Sequence, residues 1–310
     1  MSALAYRDGA AVWRALGDRA KDAAKVTGIP SQQLVRRFVY DRFLARVFAD
    51  PTEPWVLKGG TAVLARVNDA RHSKDVDLLR RLGDIDEALA ALRAVCDVDL
   101  QDHFRFVIGA VRSVGDNTQQ PYVAGYRVQI DAYCGVTRRD RFGVDLVTGS
   151  LMTAPPETRV AGTPLDLPGL ERPTLHLYPV VDHIADKLCA TEAVYADGGA
   201  SSRVRDLVDL VVFARTHSVE GAALCDAIHA ERKHRGRPPV TELVMPQAWR
   251  TTYPAVAKEV PHCANFRDAA AATAFVARFL EPAMTSTARD QVWDPALMQW
   301  ASRAAMSGKG

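Results

Sequence analysis

The sequence predicts an α/β (α+β) fold in which a strand-bearing core is followed by an α-helical C-terminal half. Short apolar runs and strict alternation gather between residues 55 and 148, with helical spacing interposed, the pattern of an α/β core. From Val180 onward apolar residues recur at three- and four-residue steps instead. Between the two regimes, residues 149–173 hold Pro155, Pro156, Pro164, Pro168 and Pro173 with several glycines. That stretch reads as an irregular connector carrying one edge strand. The expected division is N-terminal helices over 1–50, a core over 51–173 and a helical domain over 174–310.

Taken in order, Leu34–Leu44 has the spacing of a helix, and Pro51 and Pro54 then break the chain. Trp55-Val56-Leu57 is a short strand that runs into Lys58-Gly59-Gly60-Thr61, after which Ala62–Val67 is helical. Val76–Leu79 and Arg127–Tyr133 read as strands, Ile85–Val95 as a helix between them, and 101–109 and 142–148 as further strand candidates. In the second half, helices are expected over Val180–Tyr195 and over Ser202–Arg215, the latter N-capped by Ser202. A flexible turn, Asp197–Ser201, separates them. Helices over 219–231, 240–258, 266–280 and 292–305 follow, and the Ser307–Gly310 tail should fray.

Composition excludes several classes of protein. With 48% hydrophobic and 25% charged residues among 310, the chain is not disordered as a whole. A formal charge of +2 gives too weak an overall field to argue for nucleic-acid binding, so local patches must carry any such case. No apolar run reaches the ~18 residues needed to span a bilayer, and charged residues from Arg7 to Lys25 leave no room for a secretory core. A cytoplasmic monomer without a membrane partner is expected. Cys96, Cys134, Cys189, Cys225 and Cys263 are far apart and form no C-x-x-C pair, which suits small buried side chains in a reducing compartment.

The chemical centre is Gly59-Gly60-Thr61 followed, after thirteen residues, by Asp75-Val76-Asp77. Phosphoryl transfer needs backbone N–H groups and a hydroxyl close to the phosphates, and a Gly-Gly-Thr turn opening a helix supplies both. It also needs divalent cations, which carboxylate oxygens hold well. On a strand, residues i and i+2 share a face, so Asp75 and Asp77 project together while Val76 and Leu78 face the core. Such a pair on an apolar strand is costly unless a cation sits between the two. Asp131 alternates with Val128, Ile130 and Ala132; it is either the third metal carboxylate or an ordinary outward-facing aspartate. Ser73 should share the Asp75 face, and a negative modification there would oppose the triphosphate.

Two further groups lie in the helical half. Lys187 is flanked by Ile184 and Leu188, which sets its amine at a core boundary facing a cleft. Arg205, Asp206 and Asp209 form a polar stripe on the next helix, where Arg205 and Asp209 either pair with each other or serve, with Lys187, a triphosphate.

These residues resemble the AbiEii/AbiGii (MenT-like) nucleotidyltransferase toxins of the DNA polymerase beta superfamily. The resemblance rests on Leu57-Lys58-Gly59-Gly60-Thr61 with Ser73-Lys74-Asp75-Val76-Asp77-Leu78, and on Asp186-Lys187-Leu188-Cys189-Ala190 with Arg205-Asp206-Leu207-Val208-Asp209-Leu210, in the family's order over roughly residues 35–240. It implies a polymerase-beta-type core with a mixed sheet. It further implies that Lys58, Gly59, Gly60, Thr61, Ser73, Arg205 and Asp206 line the nucleotide, that Asp75, Asp77, Lys187 and Asp209 are catalytic, and that Asp75, Asp77 and Asp131 hold two Mg²⁺. Asp206 competes with Asp209 for the family's active-site role. The implied reaction moves a nucleotide from a nucleoside triphosphate to RNA, the tRNA 3′ end in studied relatives, and a cognate antitoxin is implied as partner. Two departures stand out: the Gly-to-Asp spacing is longer than in compact polymerase beta relatives, and threonine replaces serine.

Arg232, Lys233, Arg235 and Arg237 form the strongest basic cluster, read as a tRNA-phosphate contact against a solvated loop. Arg36, Arg37, Arg42 and Arg46 either reach RNA or cover the surface of their helix. The alternatives for function are nucleotidyl transfer to a small molecule or protein, and a non-catalytic nucleotide- or RNA-binding regulator.

Overall fold

The computed structural model describes residues 6–114, 124–162, 165–192 and 201–303, which leaves most of the expected Asp197–Ser201 turn and the C-terminal tail outside the described residues. The chain opens with two helices, α1 (Gly9–Thr27) and α2 (Ser31–Val47). The side chain of Asp8 caps the first turn of α1, and Gly28 ends it in the left-handed region at φ 72°, where a β-carbon would be strained. Strand β1 (Trp55–Lys58) runs directly into helix α3 (Gly59–Arg66), and β2 (Asp75–Arg80) follows. Helix α4 (Ile85–Asp97) starts in a capping box, Asp84 and Glu87 each closing on the other's backbone. Then come β3 (Phe104–Val114), β4 (Gly125–Cys134), β5 (Thr137–Val147), β6 (Glu157–Val160) and β7 (Thr174–Leu177).

These seven strands form one mixed sheet in the order β3-β4-β5-β2-β1-β7-β6. Strand β2 pairs with β5 and β1 with β7 in parallel, while the other neighbours are antiparallel. The fold is therefore the expected α/β type. Val76, Leu78, Val128, Ile130, Val144 and Leu146 point to one face and pack with α1, α2 and α4 into the first hydrophobic core. The edge strand foreseen in the connector is β6, but β7 extends the sheet four residues past the expected core boundary at 173.

The second core is helical. It comprises α5 (Val180–Thr191), α6 (Val204–Thr216), α7 (Gly221–His234), α8 (Trp249–Ala257) and α9 (Ala269–Met284), with Val63, Leu64 and Val67 of the α3 region built into it. Three expectations are corrected here. Helix α6 begins at Val204 with no side-chain cap, so Ser202 is not its N-cap. The helix expected over 240–258 shrinks to α8, since Pro246 interrupts its first part. The helix expected over 292–305 is instead a hairpin of β9 (Gln291–Asp294) and β10 (Gln299–Ser302), to which the short β8 (Val219–Glu220) adds a third strand. Asp294 turns that hairpin by accepting from the N–H groups of Ala296 and Leu297. Trp293 anchors it by donating to the Ala214 carbonyl; with that tryptophan to bury, local turn chemistry outweighs helical spacing. All five cysteines are buried and free.

Most of the arginines on α2 are internal struts. Arg42 and Arg46 converge on buried Asp102 at 2.8 and 2.7 Å, and Arg37 donates to the Leu64 and Gly162 carbonyls and to Asn68. Asp102→Ala would leave two buried guanidinium groups facing no carboxylate. We predict a loss of about 3–5 kcal/mol, read from the midpoint of denaturant unfolding.

Candidate active site

The parallel register of β2 on β5 aligns Asp75 with Gly143 and Asp77 with Asp145. On the far side of β5, Gly143 faces Gln129 and Asp145 faces Arg127. Asp75, Asp77 and Asp145 thus share the sheet face opposite the first core. Asp131 does lie on that face, as its alternation predicted, but it sits opposite Arg141 and is held there at 2.6 Å, with Arg138 at 3.7 Å. The third carboxylate of the cluster is Asp145, and the expectation for Asp131 is corrected by register. The signal for Asp145 was present: Phe142, Val144 and Leu146 alternate with Gly143, Asp145 and Val147 as cleanly as any run in the chain.

The carboxylates crowd one another. Burial, reinforced by the charges of Asp145 and Asp75, pushes the Asp77 carboxyl up to about 6. Burial likewise raises Asp145, with Arg127 working against it. The Arg127 guanidinium bridges the group, 2.7 Å from Asp75 and 3.0 Å from Asp145. Even so, Oδ1 of Asp145 is buried and receives no aligned hydrogen bond.

Glycines make this packing feasible. Gly59 has φ 60°, and a β-carbon there would fall inside the Asp77 carboxylate. A β-carbon at Gly143 would press on Asp75 Oδ1 and the Arg127 guanidinium, both at 3.0 Å. Thr61 and Ser73, both buried, donate their hydroxyls to the Asp75 carbonyl at 2.7 and 2.9 Å. They brace the start of β2; neither hydroxyl is presented to a phosphate, and Ser73 is too enclosed to be an open modification site. Lys58 pairs with Asp77 across β1 and β2, but its ammonium turns away to Ser150 at 2.9 Å and over the Tyr178 ring.

The helical half meets this face through a chain of ion pairs. Arg71, in the loop before β2, clamps Asp209 with two hydrogen bonds of 2.8 and 2.7 Å. Lys187 donates to Asp209 at 2.6 Å and to Asp206 at 2.9 Å, and Arg203 closes on Asp206 at 2.9 Å. Burial opposes the Lys187 charge, yet Asp206 and Asp209 outweigh it and hold its pKa above the ordinary value. Burial opposes the Asp209 charge as well, and Lys187 and Arg71 overcome it, so this carboxyl stays low. The Arg71 guanidinium lies over Gly60, where a β-carbon would meet its nitrogens at 2.9 and 3.0 Å. It therefore stands at the N-terminus of α3, beside first-turn N–H groups that have no helical acceptor.

Residues 42–290 match the family model of the nucleotidyl transferase AbiEii toxin of type IV toxin–antitoxin systems. The chain belongs to the AbiEii family. Among solved structures it is similar to MenT4, a nucleotidyltransferase toxin from Mycobacterium tuberculosis, at 19% identity over 86% of this chain and 98% of that one, with a TM-score of 0.48. It is also similar to JHP933 from Helicobacter pylori, at 18% identity over 84% and 96% of the two chains, with a TM-score of 0.43. No curated protein sequence matches it.

Within this AbiEii chain, Lys58, Gly59, Gly60, Thr61, Ser73, Asp75, Asp77, Lys187, Asp206 and Asp209 come together, as the sequence suggested. Arg205 does not: it is exposed on α6, and Asp209 is taken by Arg71 and Lys187 instead. Lys187 holds both Asp206 and Asp209, and Asp209 is the one that also reaches Arg71. The arginines of the basic segment are engaged in contacts of their own, with Arg235 near enough to Arg203 for the two charges to oppose each other. Arg232 is clamped to Glu192, Arg235 to Glu231 and Asp186, and Arg237 to the Cys189 carbonyl. Those three arginines tie α7 and the turn after it to α5 and its end, and only Lys233 of the four is exposed. Arg71, Arg127, Arg203 and Asp145 are the residues that sequence reasoning missed. Arg203 stood in the same Arg-x-Arg-Asp run as Arg205, two positions earlier.

Without a bound cation, the raised Asp77 carboxyl makes a sign-definite prediction. Its proton is held more tightly in the folded than in the unfolded chain, so its contribution falls as pH rises from about 4 through about 6. Asp77→Asn should flatten that slope and, in metal-free buffer at pH 7, stabilise the protein by on the order of 1–3 kcal/mol. Denaturant midpoints of both proteins between pH 4.5 and 7.5 give the comparison, and equal slopes would contradict it.

Proposed function

We propose that this AbiEii toxin transfers a nucleotide from a nucleoside triphosphate to an RNA acceptor, the tRNA 3′ end, and so blocks translation until a cognate antitoxin restrains it. The observation that carries the reading is the alignment of Asp75, Asp77 and Asp145 on one sheet face beside the N-terminus of α3.

The donor set suits hard divalent cations such as Mg²⁺. Three carboxylates meet in a partly desolvated place, one oxygen of Asp145 lacks a hydrogen bond, and an arginine bridges two of them where positive charge is needed. Among the described residues no three His, Cys, Asp or Glu side chains are already closed into a metal cage, and Arg127 must release Asp75 and Asp145 before they can turn inward. Asp75, Asp77 and Asp145 would hold the ions. When bound, Mg²⁺ supplies the charge that activates the acceptor hydroxyl and neutralises the departing pyrophosphate.

The chain's own groups do the rest. The first-turn N–H groups at Gly59 and Gly60 and the Arg71 guanidinium receive the triphosphate. Asp209, fixed by Lys187, aims Arg71; Lys187 acts through this clamp and has no free reach of its own toward the phosphates. Asp206 completes the neutralisation of Lys187 and holds Arg203 at the rim. Thr61 and Ser73 fix the backbone of Asp75, which keeps its carboxylate on the face shared with Asp77 and Asp145.

Asp145→Ala should lower transfer from labelled nucleoside triphosphates to bulk tRNA by at least about a hundredfold. Asp131→Ala should leave the rate near that of the unmodified protein. The assay is run with each triphosphate in turn, with and without Mg²⁺. The reverse ranking of the two variants would remove the carboxylate assignment, and no transfer to any RNA would remove the acceptor.

A further inference from the structure

We infer that the groove beside Asp75 binds the sugar–phosphate backbone of the acceptor RNA, an inference that rests on the polynucleotide reading above. The groove is a cavity of about 340 Å³ whose wall contains Asp75 together with Arg36, Lys74, Arg112, Arg127 and Arg141. It lies on the carboxylate face and runs outward across β5, β4 and β3, away from the α3 N-terminus that receives the triphosphate. A strand of RNA lying in it would deliver its end to Asp75.

The cations are arranged at a cost that an anionic ligand relieves. Arg112 and Arg127 stand directly opposite each other on β3 and β4, a like-charge cross-strand pair that destabilises a sheet when left alone. Arg127 is balanced by Asp75 and Asp145. Arg36 is held by Asp140, and Arg141 by Asp131, both at the rim. Lys74 and Arg112 are exposed, and neither has an ion-pair partner among the described residues. Lys74 is placed firmly even so: the Tyr40 hydroxyl, itself held by Arg36, donates to its carbonyl at 2.6 Å. Two unneutralised cations on a fixed backbone, flanking the residue that faces the reaction, are a phosphate-tracking surface. The basic segment at 232–237 offers less, since three of its four cations are spent on internal carboxylates and a carbonyl.

The test measures binding of a fluorescent RNA hairpin with a single-stranded 3′ overhang to the full chain, by anisotropy without nucleotide across a salt series. Lys74→Glu with Arg112→Glu should weaken binding by about tenfold or more, and the corresponding double alanine variant should lower the salt slope by about 1.4, near 0.7 per lost contact. Lys233→Glu, on the other basic surface, should keep the unmodified affinity. Unchanged binding in the groove variants, or an equal loss with Lys233→Glu, would overturn the inference. Steady-state transfer assays separate the remaining cases. A raised KM for RNA with an unaltered KM for the triphosphate supports the groove, whereas a raised KM for the triphosphate alone assigns it to that substrate and defeats the inference. Transfer to RNA with KM unaltered in the groove variants sinks the groove and spares the function. Groove-dependent binding without any transfer sinks the acceptor reading and spares the groove.

Discussion

Repulsion among three carboxylates on adjacent strands governs the design of this protein, because every neighbouring group either offsets it or is shaped by it. At Asp77 burial acts first and the charges of Asp145 and Asp75 add to it, which pushes its carboxyl up to about 6. The Arg127 guanidinium offsets the repulsion from the solvent side. Gly59 and Gly143 make room for it by withholding a β-carbon where an Asp oxygen must sit. The aliphatic side chains on the opposite face of the same strands supply the rigid backing, so the charges cannot separate by bending the sheet.

The same economy of charge explains how the two cores are joined. Isolated burial of Lys187 or Asp209 would cost several kcal/mol, but the run from Arg71 through Asp209, Lys187 and Asp206 to Arg203 leaves no member without an opposite neighbour. Its two ends belong to different parts of the molecule: Arg71 to the loop that leads into β2, Arg203 to the start of α6. The helical half therefore fixes the loop that carries Ser73 and Lys74 into the carboxylate strand. Lys187 sits between Asp206 and Asp209 and links the two.

Much of the site was legible in the sequence because its signals are local. Gly59-Gly60-Thr61 and Asp75-Val76-Asp77 lie within nineteen residues of one another, and strand alternation alone sets which face each aspartate takes. Alternation showed which face Asp145 takes, but preferring it to Asp131 requires the strand register of β4 and β5, which no single stretch specifies. The arginines mislead for a related reason. Arg42, Arg46, Arg232 and Arg235 look like surface charge along the chain, and only tertiary packing shows each spent on a buried or half-buried carboxylate. The hairpin at β9 and β10 hid behind apolar spacing that suited a helix until Trp293 had to be buried, with half-buried Trp300 packed edge-on against it.

The parallel pairing of β1 with β7 has a bearing on the protein's birth. Leu57 meets Leu177, so the sheet stays unfinished until the chain as far as Leu177 has left the ribosome. Lys187, Asp206 and Asp209 emerge later still. A nascent chain thus exposes its repelling aspartates long before the groups that steady Arg71 exist, and a truncated product would lack an assembled centre. Chain order thus defers assembly of the centre until the helices that carry Lys187 and Asp209 have been made.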